Sequence, residues 1–303
     1  MISKISIIII LILDFLGISN NYIFSDYESQ TKIINSKISE VTQEKIYSNS
    51  YLRDPQNLDT KKLSASGIVL LDMNSNTYLY HKNLDKRFTI ASITKVATSL
   101  AILENYNLNE VVKVSYRASS VYGSKVYLSP LEEITVDQLV TGMLVASGND
   151  AALALADHFG EDKLLIHMNQ TARNLNLKDT QFFDAAGLSM ENRSTPRDLA
   201  TLAKAALSHP FIAKAVKYKS YTIRSVDGKS EHLIHTTNRL LKNHTDITGI
   251  KTGYTEEAGF CLISSAKKNN HNFLLVLLGA TSDDLRFDES RTILTYAQNN
   301  TLW

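Results

Sequence analysis

A serine and a lysine three residues apart, Ser92 and Lys95 in Ala91-Ser92-Ile93-Thr94-Lys95, could together perform nucleophilic chemistry. On a helix the two side chains share a face, one turn apart. An alkyl hydroxyl is a poor nucleophile until a base removes its proton, and a neutral amine can do that. Ile93, Val96 and Ala97 surround Lys95 in sequence, so its amine is expected to be desolvated, and burial lowers a lysine pKa towards the range a base needs. The first turn of such a helix also directs backbone N–H groups at the space beside Ser92, where an oxyanion could be held. Alone the pair is a weak signal, because this spacing arises by chance in many helices.

Two more short stretches could complete a site. Ser147-Gly148-Asn149 falls between two helical patterns, and Gly148 permits a tight loop that turns hydroxyl and amide into one cleft. Lys251-Thr252-Gly253 lies in a strand-like stretch, where a glycine lets a substrate backbone approach closely. It is not a phosphate-binding loop, since Ile250 stands where that motif needs a glycine. His232, His235 and His244 are read as surface or core histidines, because there is no His-Glu-x-x-His and serine–lysine chemistry needs no metal. Cys261, the single cysteine, is read as a small buried apolar residue. It can form neither an internal disulfide nor a Cys-type zinc site.

These residues must be positioned by a folded domain. Gly67–Leu71 and Thr77–Tyr80, separated by a turn-like Asp72–Asn76, read as a hairpin. Ile93, Val96, Ala97, Leu100 and Leu103 recur at helical spacing. Thr135–Gln138 resembles a capping box for a helix that turns Leu139, Val140, Met143 and Leu144 inward. Further helices are predicted over Ala151–His158, from Thr195-Pro196-Arg197-Asp198, and over Leu285–Ala297. Phe260–Ser265 and Phe273–Leu278 read as late strands around the polar turn Lys267–Asn272. Strands at both ends with helices between imply an α/β domain of the α+β type. Its antiparallel sheet is drawn from about residues 64–90 and 248–280, flanked by helices, with a mainly helical inserted region.

The chain has 303 residues, 44% hydrophobic and 21% charged, enough for a sizeable core and unlike a disordered protein. Lys+Arg number 32 and Asp+Glu 31, which argues against a nucleic-acid partner. Lys4 precedes an apolar run from Ile5 to Leu13, broken by Asp14, with the small residues Gly17 and Ser19 before Asn20. That is the layout of a secretory signal over residues 1–19, with an uncleaved N-terminal anchor as the alternative. Residues 20–62 read as a polar N-terminal arm, partly helical around Ile33–Ile46, ahead of a catalytic domain at 63–303.

In chain order, Ser-x-x-Lys, Ser-x-Asn and Lys-Thr-Gly resemble the penicillin-binding protein and serine β-lactamase superfamily. The flanking text in Ala91–Lys95, Ser147–Ala152, Ser194–Leu199 and Gly249–Thr255 narrows the resemblance. It looks like the low-molecular-mass D-alanyl-D-alanine carboxypeptidases, serine peptidase family S11, from about Ser64 to the C-terminus. The resemblance implies a β-lactamase/transpeptidase-like fold. It also implies that Ser92 attacks the D-Ala-D-Ala carbonyl of a peptidoglycan pentapeptide, forming an acyl-enzyme that water hydrolyses. Lys95 would take the Ser92 proton, Ser147 would relay one to the leaving amine, and Asn149 would bond the substrate peptide. Lys251 would supply a second positive charge that lowers the Lys95 pKa. Thr252 would contact the substrate carboxylate on the strand containing Gly253. The N–H groups of Ser92 and Tyr254 would form the oxyanion hole, and Arg286 would grip the terminal carboxylate.

By the same resemblance no cofactor or metal is needed, and β-lactams should be covalent inhibitors. The protein is expected to be exported, to the periplasm or the outer face of the cytoplasmic membrane, with peripheral or N-terminal membrane association. Three alternatives stay open. A D-alanyl-D-alanine endopeptidase uses the same chemistry, and the stop at Trp303 lacks the β-rich module and anchoring helix common in family carboxypeptidases. A β-lactamase would need a second base, and the flanks of Glu161 and Glu191 do not match one. A non-catalytic peptidoglycan or β-lactam sensor would have no need of the intact Ser92, Lys95 and Lys251.

Overall fold

Gly67-Ile68-Val69-Leu70-Leu71-Asp72 is buried at every residue, and its unbroken apolar run follows from covering on both faces of a sheet. In the computed structural model, which describes residues 51–53, 58–268 and 270–302, this segment is strand β1. A turn held by the Asp72 carboxylate, which accepts from Asn74 N and Ser75 Oγ, leads to β2 (Thr77–Lys82). Helices follow: α1 (Thr94–Asn105), α2 (Val136–Val145), α3 (Asn149–Phe159), α4 (Glu161–Asn174) and α5 (Pro196–Ser208). The chain then returns through β3 (Ile247–Thr255), β4 (Gly259–Lys268) and β5 (His271–Ala280) before the closing helix α6 (Asp283–Asn300).

The five strands form one antiparallel sheet in the order β3-β4-β5-β1-β2. The last strand, β5, therefore pairs with the first, with Leu275 opposite Leu70 and Val276 opposite Val69. Because side chains alternate along a strand, the sheet divides its apolar residues between two cores. Ile68, Leu70, Leu262, Phe273, Leu275 and Leu277 pack against Phe287, Ile293, Leu294 and Ala297 of α6. Val69, Leu71, Ile263, Leu274, Val276 and Leu278 face the helical region, with Val96 of α1, Leu139 and Met143 of α2 and Leu199 of α5. The antiparallel sheet with its helical insert agrees with the architecture read from sequence.

Local expectations also meet the structure. Thr195 caps α5 by accepting from Asp198 N, with Pro196 in the first turn, and Ser282 caps α6 by accepting from Leu285 N. The expected capping box at α2 is not formed. Thr135 is the N-cap, but its hydroxyl donates to Asp137 Oδ1 and accepts from Gln138 Nε2. Gln138 is drawn outwards by the neighbouring hairpin, accepting from Arg224 N and donating to Arg224 O.

The signal read at 1–19, the helix around 33–46 and the arm as far as residue 50 lie outside the described residues. The end of the 20–62 stretch is not a free polar arm. Tyr51–Leu52 pairs with Thr301–Leu302 after α6, and Leu52 and Leu58 join the α6-side core. Two apolar side chains spaced this far apart carry no periodicity, so their anchoring is invisible without the surface they meet. Glu289 of α6 fastens the next stretch, accepting from Ser64 N and Ala65 N at 2.7 and 3.2 Å. Among the described residues no helix is long and apolar enough to cross a membrane.

The two cores make stability and catalysis separable. Phe273 is fully buried in the core away from Ser92. Phe273→Ala should lower unfolding stability by about 3–5 kcal/mol, measured by denaturant titration, while the folded fraction retains its reactivity at Ser92.

Candidate active site

Ser92 sits in a single 3-10 turn, Ala91–Ile93, that runs directly into α1 and places Lys95 one turn further on. Lys95 is fully buried. Its amine is 2.9 Å from Ser92 Oγ and donates to Asn149 Oδ1 at 2.8 Å and to Ala186 O at 2.5 Å. Those two oxygens are fixed acceptors. When the amine is neutral they take its two N–H bonds, and the lone pair is left facing the Ser92 hydroxyl. Burial lowers the Lys95 pKa to about 7, against the opposing pull of Asp184 and Asp150.

Each anchor is itself held. Asn149 opens α3, donates through Nδ2 to Tyr122 O at 2.7 Å and through its backbone to Ser124 O. Asp150 is fully buried and accepts from Val126 N, Leu128 N and Ala151 N, fixing the same loop. Ala186 is positioned by Asp184, whose carboxylate gathers the N–H groups of Ala186, Gly187, Leu188 and Ser189. Asn192 ties this loop to α1, donating to Thr94 Oγ1 and Asp184 O. Gly187 has φ +78°, and a Cβ there would lie 2.0 Å from Ala91 O. Ala91 (φ +47°) and Ser147 (φ +61°) also occupy the left-handed region that favours glycine, so the site includes strained backbone.

Lys251, on β3, is equally buried and donates to Ser147 Oγ at 2.7 Å and Thr252 O at 2.8 Å. Its pKa is pushed well below the usual lysine value by burial first, then by repulsion from Lys95 and Arg286. This changes the expected emphasis. Burial is what depresses Lys95, and the repulsion between the two amines adds to the depression of Lys251. Two adjacent buried ammonium groups are costly, so the pair favours a single shared charge.

The cleft above these groups has a volume of about 650 Å³ and is lined by Ser92, Ser147, Asn149, Thr252, Gly253, Tyr254 and Arg286. Seven of the nine residues singled out from sequence thus meet at one opening, with Lys95 and Lys251 beneath it. Arg286 is partly engaged: its guanidinium donates to Gly253 O at 2.9 Å and pairs with Asp283, while its Nε has no hydrogen-bond partner among the described residues. Its charge stands at the cleft wall.

Sequence reading missed Thr237, whose hydroxyl is 2.6 Å from Thr252 Oγ1 and which lines the same cleft. It missed the positioning roles of Asp150, Asp184 and Ala186. Asp150 stood beside a recognised motif, but nothing in Asp184-Ala185-Ala186 announces a lysine anchor. His232 forms a pair with Glu132 at 2.7 Å, and Cys261 is buried with its thiol pKa raised to about 11 by burial.

The arrangement puts a serine hydroxyl beside a buried lysine amine able to act as its base, at the junction of a sheet and a helical insert. The family profile of the D-alanyl-D-alanine carboxypeptidases, peptidase S11, matches residues 54–282. The chain belongs to this family. It is 36% identical over 242 residues to D-alanyl-D-alanine carboxypeptidase DacF of Bacillus subtilis, covering 77% of this chain and 62% of that protein's length. The Streptomyces K15 DD-transpeptidase structure superposes with a TM-score of 0.73 at 31% identity, covering 77% of this chain and 97% of that one. A D-alanyl-D-alanine endopeptidase of Pseudomonas aeruginosa is 30% identical over 234 residues, 73% of each chain.

Lys95 is an ammonium below about pH 7 and a free amine above it. The rate of acylation at Ser92 should therefore rise about tenfold per unit of pH below that value and level off above it, as read by stopped-flow with a chromogenic β-lactam. Gly187→Ala should slow acylation by more than about tenfold by displacing Ala91 and Ser92, with little change in the far-ultraviolet circular dichroism spectrum.

Proposed function

We propose that the chain is a serine D-Ala-D-Ala carboxypeptidase that trims peptidoglycan stem peptides. The observation that carries this reading is the Lys95 amine, buried and held by two carbonyl oxygens with Ser92 Oγ as its remaining neighbour. Ser92 Oγ attacks the carbonyl carbon between the two terminal D-alanines and its proton passes to Lys95 Nζ. The backbone N–H groups of Ser92 and Tyr254 receive the negative charge that develops on the carbonyl oxygen. Collapse of the tetrahedral species breaks the C–N bond, and Ser147, linked to Lys251, relays to the departing amine the proton that Lys95 took from Ser92, so that both Lys95 and Ser147 return to their starting states. Free D-alanine leaves, and water then hydrolyses the ester on Ser92. Asn149 bonds the substrate peptide, while Thr252 and the positive charge of Arg286 attract its terminal carboxylate.

The two carboxylates closest in influence to Lys95, Asp150 and Asp184, are committed to backbone N–H groups. Neither is free to activate a water against a bulky acyl group, which favours a peptidase slowly deacylated after β-lactam attack over a β-lactamase. β-Lactams would therefore act as covalent inhibitors. An endopeptidase acting on cross-links remains the second reading, on the strength of the Pseudomonas relative's name. Peptidoglycan as substrate implies action outside the cytoplasmic membrane, with export directed by the N-terminal residues and peripheral or N-terminal membrane association.

Digestion of purified muropeptides separates the readings. Loss of only the terminal D-alanine from pentapeptides is expected, whereas conversion of cross-linked dimers to monomers would mean an endopeptidase. Ser92→Ala should abolish both D-alanine release and labelling by fluorescent penicillin, and equal labelling of this variant would overturn the assignment.

A further inference from the structure

The catalytic cleft does not end at Tyr254. Tyr254, Glu256 and Glu257 line both the cleft and a neighbouring depression of about 730 Å³. Arg87 and Arg193 line that second depression and also a third, of about 750 Å³, whose walls include Lys178 and Arg173. The three depressions thus adjoin one another through shared wall residues, in a row, or trough, that begins at the Ser92 cleft.

Charge changes sign along it. Glu256 and Glu257 stand exposed next to the cleft, and neither carboxylate has a hydrogen-bonding or ionic partner among the described residues. Beyond them come Lys86, Arg87, Arg193, Lys178 and Arg173, tempered by Asp179 and Glu191. Asp179 is already paired with Arg87 at 2.8 Å, and the Lys178 and Arg193 side chains have no ionic partner among the described residues. At the junction Tyr254, 51% exposed, is stacked on Phe260 with ring centres 4.2 Å apart. This supported aromatic face is suited to a sugar ring or a peptide plane.

A short peptide is accommodated by a cleft of several hundred Å³, and the catalytic cleft alone has that size. A row of three adjoining depressions, acidic and then basic, is complementary to an extended ligand bearing both amines and carboxylates. We propose that this trough docks polymeric peptidoglycan, its acidic stretch receiving free amino groups of the stem peptides and its basic stretch receiving their carboxylates. The proposal rests on the carboxypeptidase reading and deepens it, by making the intact wall polymer the preferred substrate.

The test compares the full-length wild type with a Lys178→Glu/Arg193→Glu variant, and with the milder Lys178→Gln/Arg193→Gln should charge reversal impair folding. Co-sedimentation with insoluble sacculi measures docking, and D-alanine release from sacculi and from a soluble acyl-D-Ala-D-Ala tripeptide measures turnover. The variants should lose about fivefold or more in sacculus binding and sacculus turnover, with tripeptide turnover and penicillin labelling within about twofold of wild type. Wild-type binding should weaken as salt is raised. Equal sacculus binding by wild type and variants would overturn the proposal. So would binding that disappears when phosphate-containing wall polymers are stripped from the sacculi, since the anion would then be a phosphodiester. Failure of the carboxypeptidase reading would appear separately, as no D-alanine release from the tripeptide while sedimentation is still measurable.

Discussion

The withdrawal of one amine from water governs this site. Lys95 lies wholly inside the protein, with Asn149 Oδ1 and Ala186 O as its fixed acceptors and Ser92 Oγ as its remaining neighbour. In water that amine would hold its proton at neutral pH and could not serve as a base. Burial brings its pKa to about 7, where free amine and ammonium are both populated. Too many nearby carboxylates would undo the effect, and the two that exert a pull are turned towards backbone N–H groups instead of the amine.

That environment is assembled from three separate parts of the fold. The turn before α1 carries Ser92, the loop before α3 carries Ser147 and the first residue of α3 is Asn149, and β3 carries Lys251 and Thr252. The Asp184 loop covers them from the side, approaching so closely at Gly187 that a methyl group would collide with Ala91 O. Strained backbone at Ala91 and Ser147 is sustained by the packing around it. The core against α6 bears no catalytic group and supports the sheet from behind. Reactivity is thus built on the side of the sheet where the helical insert meets it.

The two buried lysines divide the labour of charge. Lys251 bonds the Ser147 hydroxyl, and repulsion from Lys95 and Arg286 adds to its desolvation. A substrate carboxylate arriving near Thr252 would relieve that repulsion, so binding and protonation are coupled. Arg286 contributes its charge from the wall, held by Gly253 O and Asp283.

Much of this was legible in the amino-acid sequence. Serine and lysine at helical spacing offered a nucleophile beside a base, a weak signal alone that gained weight only with Ser147-Gly148-Asn149 and Lys251-Thr252-Gly253 further along the chain. The apolar runs of Gly67–Leu71 and Phe273–Leu278 specified buried strands, and Thr195-Pro196 specified a helix start, because these are local rules of hydrophobicity and capping. The tertiary structure decided what local rules cannot reach. It set Ala186 O as a lysine anchor, Asp150 and Asp184 as the carboxylates that hold the surrounding loops, and Thr237 as a neighbour of Thr252. It turned Gln138 from the expected cap towards Arg224, docked Leu52 and Leu58 on the core, and occupied Arg286 with protein acceptors. Each depends on which surfaces meet after residues far apart in the chain come together, and side-chain hydrogen bonds across such distances leave no period in the sequence.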